Sequence, residues 1–217
     1  MVGVNLRRAA RVLGTLLIVI GLGLLGYVGW QFYGTTWTSA HKYDEIQRSL
    51  EEQWARGEKV ATAEDGTRSG ALLRIPALGE DYQVPITEGT GDAALAAGVG
   101  HFEHSAKPGR RGNFALAGHR VTRGQPFRNL PALRPGDTVE VVTKNKVFTY
   151  VLDTGGSDLE VSFTDTWVVD AQPVNPAGGV GPKPGEDRLI TLTTCAELFH
   201  TDGRLIVFGH LTSVADR

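Results

Sequence analysis

The stretch ITLTTC at residues 190–195 combines an apolar, β-branched run with the only cysteine of the 217-residue chain. This composition predicts a β-strand with a thiol at its end. A second β-rich run, RLIVF at residues 204–208, predicts the neighbouring strand. If the two strands pair as a hairpin, the Arg204 guanidinium lies close to Cys195 and favours the thiolate form, which attacks carbonyl groups.

A lone cysteine at a strand end has two interpretations. It can be a small buried hydrophobic residue, or it can be a nucleophile when a histidine from elsewhere in the chain reaches it. Among the six histidines, His119 is the strongest candidate because it follows the apolar run NFALA at residues 113–117 and then Gly118. Gly118 allows a turn or a close backbone approach, so we expect the imidazole to emerge at a strand end.

Three motifs in this order resemble those of the sortase family. LTTC at residues 192–195 resembles the segment of the sortase cysteine, and AGH at residues 117–119 resembles the segment of the sortase histidine. Arg204 has the position of the third member of the set. The resemblance covers about residues 72–211, and GNFALAGHR at residues 112–120 is most similar to class E sortases of actinobacteria.

The resemblance implies cysteine transpeptidation. An LAxTG-like or LPxTG-like sorting-signal peptide of a secreted surface protein would be cleaved after its threonine through a thioacyl-enzyme on Cys195. The product would then be joined to an amine of a peptidoglycan precursor or a pilin. His119 would move the protons, and Arg204 would stabilise the oxyanion or hold the peptide backbone. His101 and Thr194 are expected to contact the substrate.

The N-terminal region predicts a membrane anchor. Residues 12–30 carry no charge and reach roughly 28 Å as a helix, close to the thickness of a bilayer core. Three arginines precede this run, which predicts a single-pass protein of the cell membrane with a cytoplasmic N-terminus and an extracellular catalytic domain. A cleavable signal peptide is the alternative, but the apolar run is long and Ala40 has a poor cleavage context.

The predicted organisation has three parts: the cytoplasmic tail and anchor at 1–37, a helix and linker at 38–70, and the catalytic domain at 71–217. The helix is expected over residues 39–57, with Ser39 as its cap and an apolar face of Tyr43, Ile46, Leu50 and Trp54. This helix either packs on the enzyme or is a simple spacer. Residues 58–70 are polar and predict a flexible linker.

The remaining chain predicts a mostly β fold. Glycine and proline are frequent, with 28 and 10 copies, and about eight short strands fit a closed β-barrel such as the resemblance implies. Lys144 and Asn145 predict a tight hairpin between strands at 138–143 and 146–153. Residues 161–170 predict a further strand or two. The Pro/Gly-rich loop at 171–187 is expected to wall the substrate groove.

Charge and composition exclude some functions and leave others open. A net charge of −2 does not favour nucleic-acid binding. No zinc spacing is found and no cofactor is expected, although the scattered acids Glu160 and Asp165 leave calcium as an alternative. A pilin-polymerising class C sortase is disfavoured, since no lid segment or C-terminal apolar helix is evident. A hydrolytic cysteine peptidase and a non-catalytic, membrane-anchored β-barrel binding module are the competing hypotheses.

Overall fold

A computed structural model describes residues 2–30, 34–63, 66–195 and 202–217. The helices are α1 (Val2–Gly29), α2 (Thr35–Ala55) and α3 (Asp92–Ala97). The strands are β1 (Ala61–Thr62), β2 (Arg68–Arg74), β3 (Gln83–Glu88), β4 (Val99–His101), β5 (Gly112–Ala117), β6 (Thr138–Thr143), β7 (Lys146–Leu152), β8 (Glu160–Ser162), β9 (Arg188–Cys195) and β10 (Gly203–Asp216).

Eight of these strands form a closed barrel. Their order is β2-β3-β4-β5-β9-β10-β7-β6, and β6 pairs with β2 to complete the ring. The β3–β4 and β5–β9 pairs are parallel, whereas the other neighbours in the ring are antiparallel. Outside the ring, β1 pairs with the start of β2, and β8 pairs with the start of β10. The predicted mostly β, eight-stranded barrel with short helices and an N-terminal apolar helix is therefore confirmed.

Alternation along the strands separates the barrel interior from an outer layer. Leu73 and Val141 belong to the main core, whereas their neighbours Leu72 and Val142 belong to a second cluster with α2. Successive side chains of a strand point to opposite faces, so one face fills the barrel and the other receives the helix. Leu50 of α2 is fully buried in that second cluster.

The second helix therefore packs on the barrel rather than acting as a spacer. Its predicted apolar face, from Tyr43 to Trp54, is buried. The predicted start at Ser39 is wrong, because the chain already has helical dihedral angles at Gly34, the N-cap, and Ser39 is buried within α2. The helix ends at Ala55, and Gly57 adopts the positive φ expected at a helix end.

Several expectations for the loops need correction. Residues 58–70 include β1 and the start of β2, so this segment is partly paired rather than a plain linker. In the region 161–170 the chain forms the end of β8 and a 3₁₀ turn at Thr166–Val169, because Trp167 and Val168 pack against Phe208 on the outer face of β10. The hairpin of β6 and β7 is confirmed.

The first helix contains a long apolar segment. Within α1, the segment Ala10–Gly29 has a mean hydropathy of 2.2 and is long enough to cross a bilayer. Burial in the barrel does not account for its composition, because none of this segment is buried.

Candidate active site

The pairing of β9 with β10 places two of the predicted site residues opposite each other. The two strands are antiparallel, and Cys195 is the register partner of Arg204. Directly opposed Cα atoms in such a pair are about 4.5–5.5 Å apart. The predicted pairing is confirmed, whereas the side chain of Cys195 and residues 196–201 lie outside the described part of the chain, so the nucleophile remains a prediction.

The parallel pairing of β5 with β9 brings His119 to the same end of the barrel. The last register pair is Ala117 with Thr193, and His119 and Cys195 each follow two positions later. Two further hydrogen bonds extend this contact: Gly118 N–H donates to Thr193 O at 3.1 Å, and Thr194 Oγ1 donates to Gly118 O at 2.8 Å. The backbone therefore brings position 119, two residues beyond β5, close to positions 195 and 204 on β9 and β10.

Gly118 is required by a close approach rather than by its dihedral angles. A Cβ atom at this position would lie 2.6 Å from the ring of Phe127, which is fully buried. Phe127 N–H in turn donates to His119 O at 3.0 Å. The chain after β5 therefore folds back on itself, and the small residue before His119 makes this possible.

A cleft of about 270 Å³ opens beside these positions. His119, Thr194 and Arg204 line it, and Val161, Phe163 and Val168 contribute apolar side chains. The loop at 171–187 does not line this cleft, but Asn175 borders an adjoining depression that shares Val161 with it. The expected place of the loop in the wall of the substrate groove stays a prediction. The exposed Phe163 was not identified from the sequence.

His119 is half-buried and electrostatically tuned. Its Nε2 atom is buried and has no hydrogen-bond partner among the residues that the structure describes. Burial lowers the pKa of His119 below its usual value of 6.5; the nearby Arg123 lowers it further, and Asp92 partly opposes both effects. The neutral imidazole is therefore the main form at neutral pH.

Arg204 lies at the border of the cleft. Its Nη1 donates to Gly203 O at 2.9 Å, and its guanidinium carbon lies 6.0 Å from the centroid of the Phe163 ring. The guanidinium carries a permanent charge and several N–H donors, so it can stabilise an oxyanion or hold a peptide carbonyl.

Thr194 and His101 have different surroundings. Thr194 lines the cleft but is only 3% exposed, and its hydroxyl donates to the carbonyl of Gly118, which ties β9 to the residue before His119. His101 does not line the cleft; it is 1% exposed, and its ring nitrogens lie 3.1 Å from Glu88 Oε2 and from Ala106 O. The visible role of each residue is to hold the backbone, and substrate contact by either remains a prediction.

The carboxylate of Glu88 contacts both His101 and Lys107. Lys107 Nζ donates to Glu88 Oε1 at 2.9 Å. Burial alone would raise the pKa of Glu88, but hydrogen bonds from Lys107 and His101, together with their charges, lower it. These contacts attach the loop after β4 to the end of β3.

The other acidic and histidine positions lie elsewhere. His210 Nδ1 is 2.6 Å from Asp153 Oδ1, a partner not identified from the sequence. Asp165 Oδ2 accepts a hydrogen bond from Ser162 N–H in the turn after β8. In the described ranges, no group of three or more His, Cys, Asp or Glu residues is arranged to hold a metal ion.

The fold and these positions define a β-barrel with candidate cysteine–histidine chemistry at one end. The sequence model of the sortase domain family matches residues 73–212 of this chain. The chain belongs to the sortase family, whose members are cysteine transpeptidases.

Several sortase E proteins are similar to this chain in sequence and structure. Sortase SrtE1 of Streptomyces coelicolor is 36% identical over 96% of this chain, which spans only 59% of that protein's length. The structure of sortase E from Streptomyces avermitilis is 40% identical with a TM-score of 0.59, over 68% of this chain and 90% of that one. A crystal structure of sortase E1 from S. coelicolor with a tripeptide in its active site is 37% identical with a TM-score of 0.58, over the same shares.

Proposed function

We propose that this chain is a membrane-anchored transpeptidase that cleaves an LAxTG-like or LPxTG-like signal after threonine and joins the new carboxyl end to a cell-wall amine. The observation that carries the proposal is the strand register, which gathers positions 119, 195 and 204 beside one cleft. Membership of the sortase family supports the reaction type. The preference for LAxTG rests on the similarity to class E sortases.

In the first half of the reaction, the Cys195 thiol gives its proton to neutral His119, and the resulting thiolate attacks the threonyl carbonyl carbon and forms a C–S bond. The carbonyl oxygen becomes an oxyanion, and Arg204 donates hydrogen bonds to it. The C–N bond then breaks, and the imidazolium of His119 gives its proton to the departing glycine amine. The product is a thioacyl-enzyme and a neutral imidazole.

In the second half, an amine replaces the thiol. Neutral His119 takes a proton from the incoming amine, whose nitrogen attacks the thioester carbon and expels the Cys195 thiolate. The lowered pKa of His119 suits this step, because the base is already unprotonated at neutral pH. The amine comes from a peptidoglycan precursor or, in the pilin-polymerising alternative, from another protein.

We also propose that α1 anchors the chain in the cell membrane. The segment Ala10–Gly29 has the necessary length and hydropathy, and Arg7, Arg8 and Arg11 favour a cytoplasmic N-terminus. The catalytic domain, residues 71–217, would then lie outside the cell, where surface proteins and the cell wall are both accessible. Residues 1–37 form the tail and anchor of this scheme, and 38–70 the connecting segment.

The test uses the full chain in detergent micelles. LAxTG and LPxTG peptides are incubated with and without a glycine-type or diaminopimelate-type amine, while products and intact protein mass are followed. We expect an acyl adduct on Cys195 that passes to the amine, and no adduct with Cys195→Ala. Release of the acyl group to water alone would instead show a peptidase, and no adduct with any peptide would favour the binding module.

A further inference from the structure

The segment after His119 has an unusual backbone. We call residues 120–127 the His119 loop. Within it, Arg123, Gly124 and Gln125 have φ values of 54°, 79° and 52°. Three consecutive residues in the left-handed region are rare, and two of them carry a Cβ atom that disfavours it. Such a conformation persists only where neighbouring groups hold it.

The neighbouring groups come largely from α2. Tyr43 Oη donates to Arg123 O at 2.8 Å, and Gln125 Nε2 donates to Thr36 Oγ1 at 3.3 Å. Gly124 lies directly on the Tyr43 ring, because a Cβ atom there would be 2.8 Å from three atoms of the phenol. Burial raises the pKa of Tyr43, so the phenol remains a donor throughout the working pH range.

The loop is directly connected to His119. Phe127 N–H donates to His119 O and closes the loop at its base. On the other side, Arg123 Nη1 donates to Asp92 O at 2.9 Å. Among the described residues, Arg123 and Asp92 are the charged groups that shift the pKa of His119, and the conformation of the loop determines the distance of Arg123 from the imidazole.

We propose that α2 is a positioning element for catalysis and that Tyr43 is its positioning residue. The ring and hydroxyl of Tyr43 hold the His119 loop in its left-handed conformation, which aims His119 at the cleft and places Arg123 near it. The inference rests on the proposed function, since it takes His119 as the group that exchanges protons with the substrate. The helix that follows the membrane anchor is then part of the support of the active site.

The competing explanation is that Tyr43 contributes only stability. Both explanations predict a lower melting temperature for Tyr43→Phe, which removes the hydroxyl but keeps the ring. They differ in what happens at His119, because only the positioning role changes the imidazole's environment. A matched control is Trp54→Phe, which removes the hydrogen bond from Trp54 Nε1 to Lys59 O at the far end of the same helix.

The experiment compares the full-length wild type, Tyr43→Phe, Tyr43→Ala and Trp54→Phe in detergent. We expect Tyr43→Phe to lower kcat about tenfold with little change in KM, because a small misplacement of a catalytic group affects the chemical step most. The acidic limb of its kcat/KM profile moves to higher pH as Arg123 moves away from His119 and the imidazole gains water. Trp54→Phe keeps the wild-type kcat and acidic limb.

A second measurement does not depend on turnover. The titration of the His119 imidazole is followed by NMR in histidine-labelled chains, with the signal assigned by its loss in His119→Gln. We expect the pKa of His119 to rise in Tyr43→Phe and to stay unchanged in Trp54→Phe. An unchanged His119 titration in folded Tyr43→Phe overturns the positioning role, even if the wild-type chain turns over none of the peptides. If the wild-type chain turns over none of the peptides, this result contradicts the proposed function but not the effect of Tyr43 on His119.

Discussion

Cys195 and Arg204 are direct register partners in the antiparallel pairing of β9 with β10. A side chain of Arg204 can therefore reach a group bound to the thiol without any rearrangement of the backbone. Its position between Gly203 O and the Phe163 ring borders the cleft that His119 also lines.

We predict that Arg204→Ala lowers kcat/KM by about 10²–10³-fold, the range typical of a lost oxyanion donor. Arg204→Lys keeps the charge but loses the planar fork, so we expect it to recover only part of the loss. The measurement is peptide cleavage by the full chain, together with the amount of acyl adduct on Cys195.

A matched control for this prediction is Arg134→Ala, which removes an exposed arginine outside the cleft. It should keep wild-type kcat/KM, and both variants should keep the wild-type melting temperature within a few degrees. Full activity in Arg204→Ala would remove the residue from the proposed catalytic set.

We predict that the acidic limb of the kcat/KM profile has its midpoint below pH 6.5, the usual pKa of histidine. The productive pair of thiol and imidazole holds one proton, and a second proton is added on His119 when the pH falls below its lowered pKa. A limb centred above pH 6.5 would contradict the burial of this imidazole in the working enzyme.

The same lowered pKa has a consequence for stability. Between the folded pKa of His119 and 6.5, the unfolded chain binds more protons than the folded chain, so the free energy of unfolding decreases as the pH falls through this window. His119→Gln should remove this contribution. The check is the difference in unfolding free energy between wild type and variant from pH 7.5 to pH 5.

Local composition was enough to predict the strands that carry the site. The β-branched run before Cys195, the run after Arg204 and the Asn145 turn each specify their element by neighbouring residues alone, and all three are confirmed. His119 was predicted from its place after an apolar run and a glycine. Its electrostatic environment was not, because it depends on the burial of the ring, on the backbone conformation that brings Arg123 near it, and on Asp92 of α3, which is distant in the sequence.

Contacts between segments that are far apart in the sequence account for the features that the sequence did not predict. Tyr43 and Arg123 are 80 positions apart, and no local pattern indicates that one holds the other. The short β8 depends on pairing with β10, and the 3₁₀ turn after it depends on packing against Phe208. Propensity alone could not separate that turn from a strand, since Trp167 and Val168 are β-favouring residues in either case.

We predict that Gly118→Ala reduces activity strongly and lowers stability by about 1–3 kcal/mol, the usual cost of overpacking a core. The new Cβ atom would lie 2.6 Å from the Phe127 ring, so either the ring or the His119 backbone must move. Phe127→Leu in the Gly118→Ala background should recover part of the activity. Gly181→Ala, at a position with open space around it, is the control and should match wild type.

We predict that Glu88→Gln lowers the stability of the chain near pH 7 and has little effect in acid. The pKa of Glu88 is lowered in the folded state because Lys107 and His101 stabilise its carboxylate, despite partial burial. The stabilisation is therefore fully present above the usual glutamate pKa of 4.5 and is lost as the pH falls through the lower folded value. Unfolding of the full chain in detergent is measured at several pH values from 7 downwards, with the exposed Glu51→Gln as control. A wild-type advantage over Glu88→Gln that stays constant down to the most acidic pH would show that the carboxylate charge contributes nothing, and that the loop after β4 is held by packing instead.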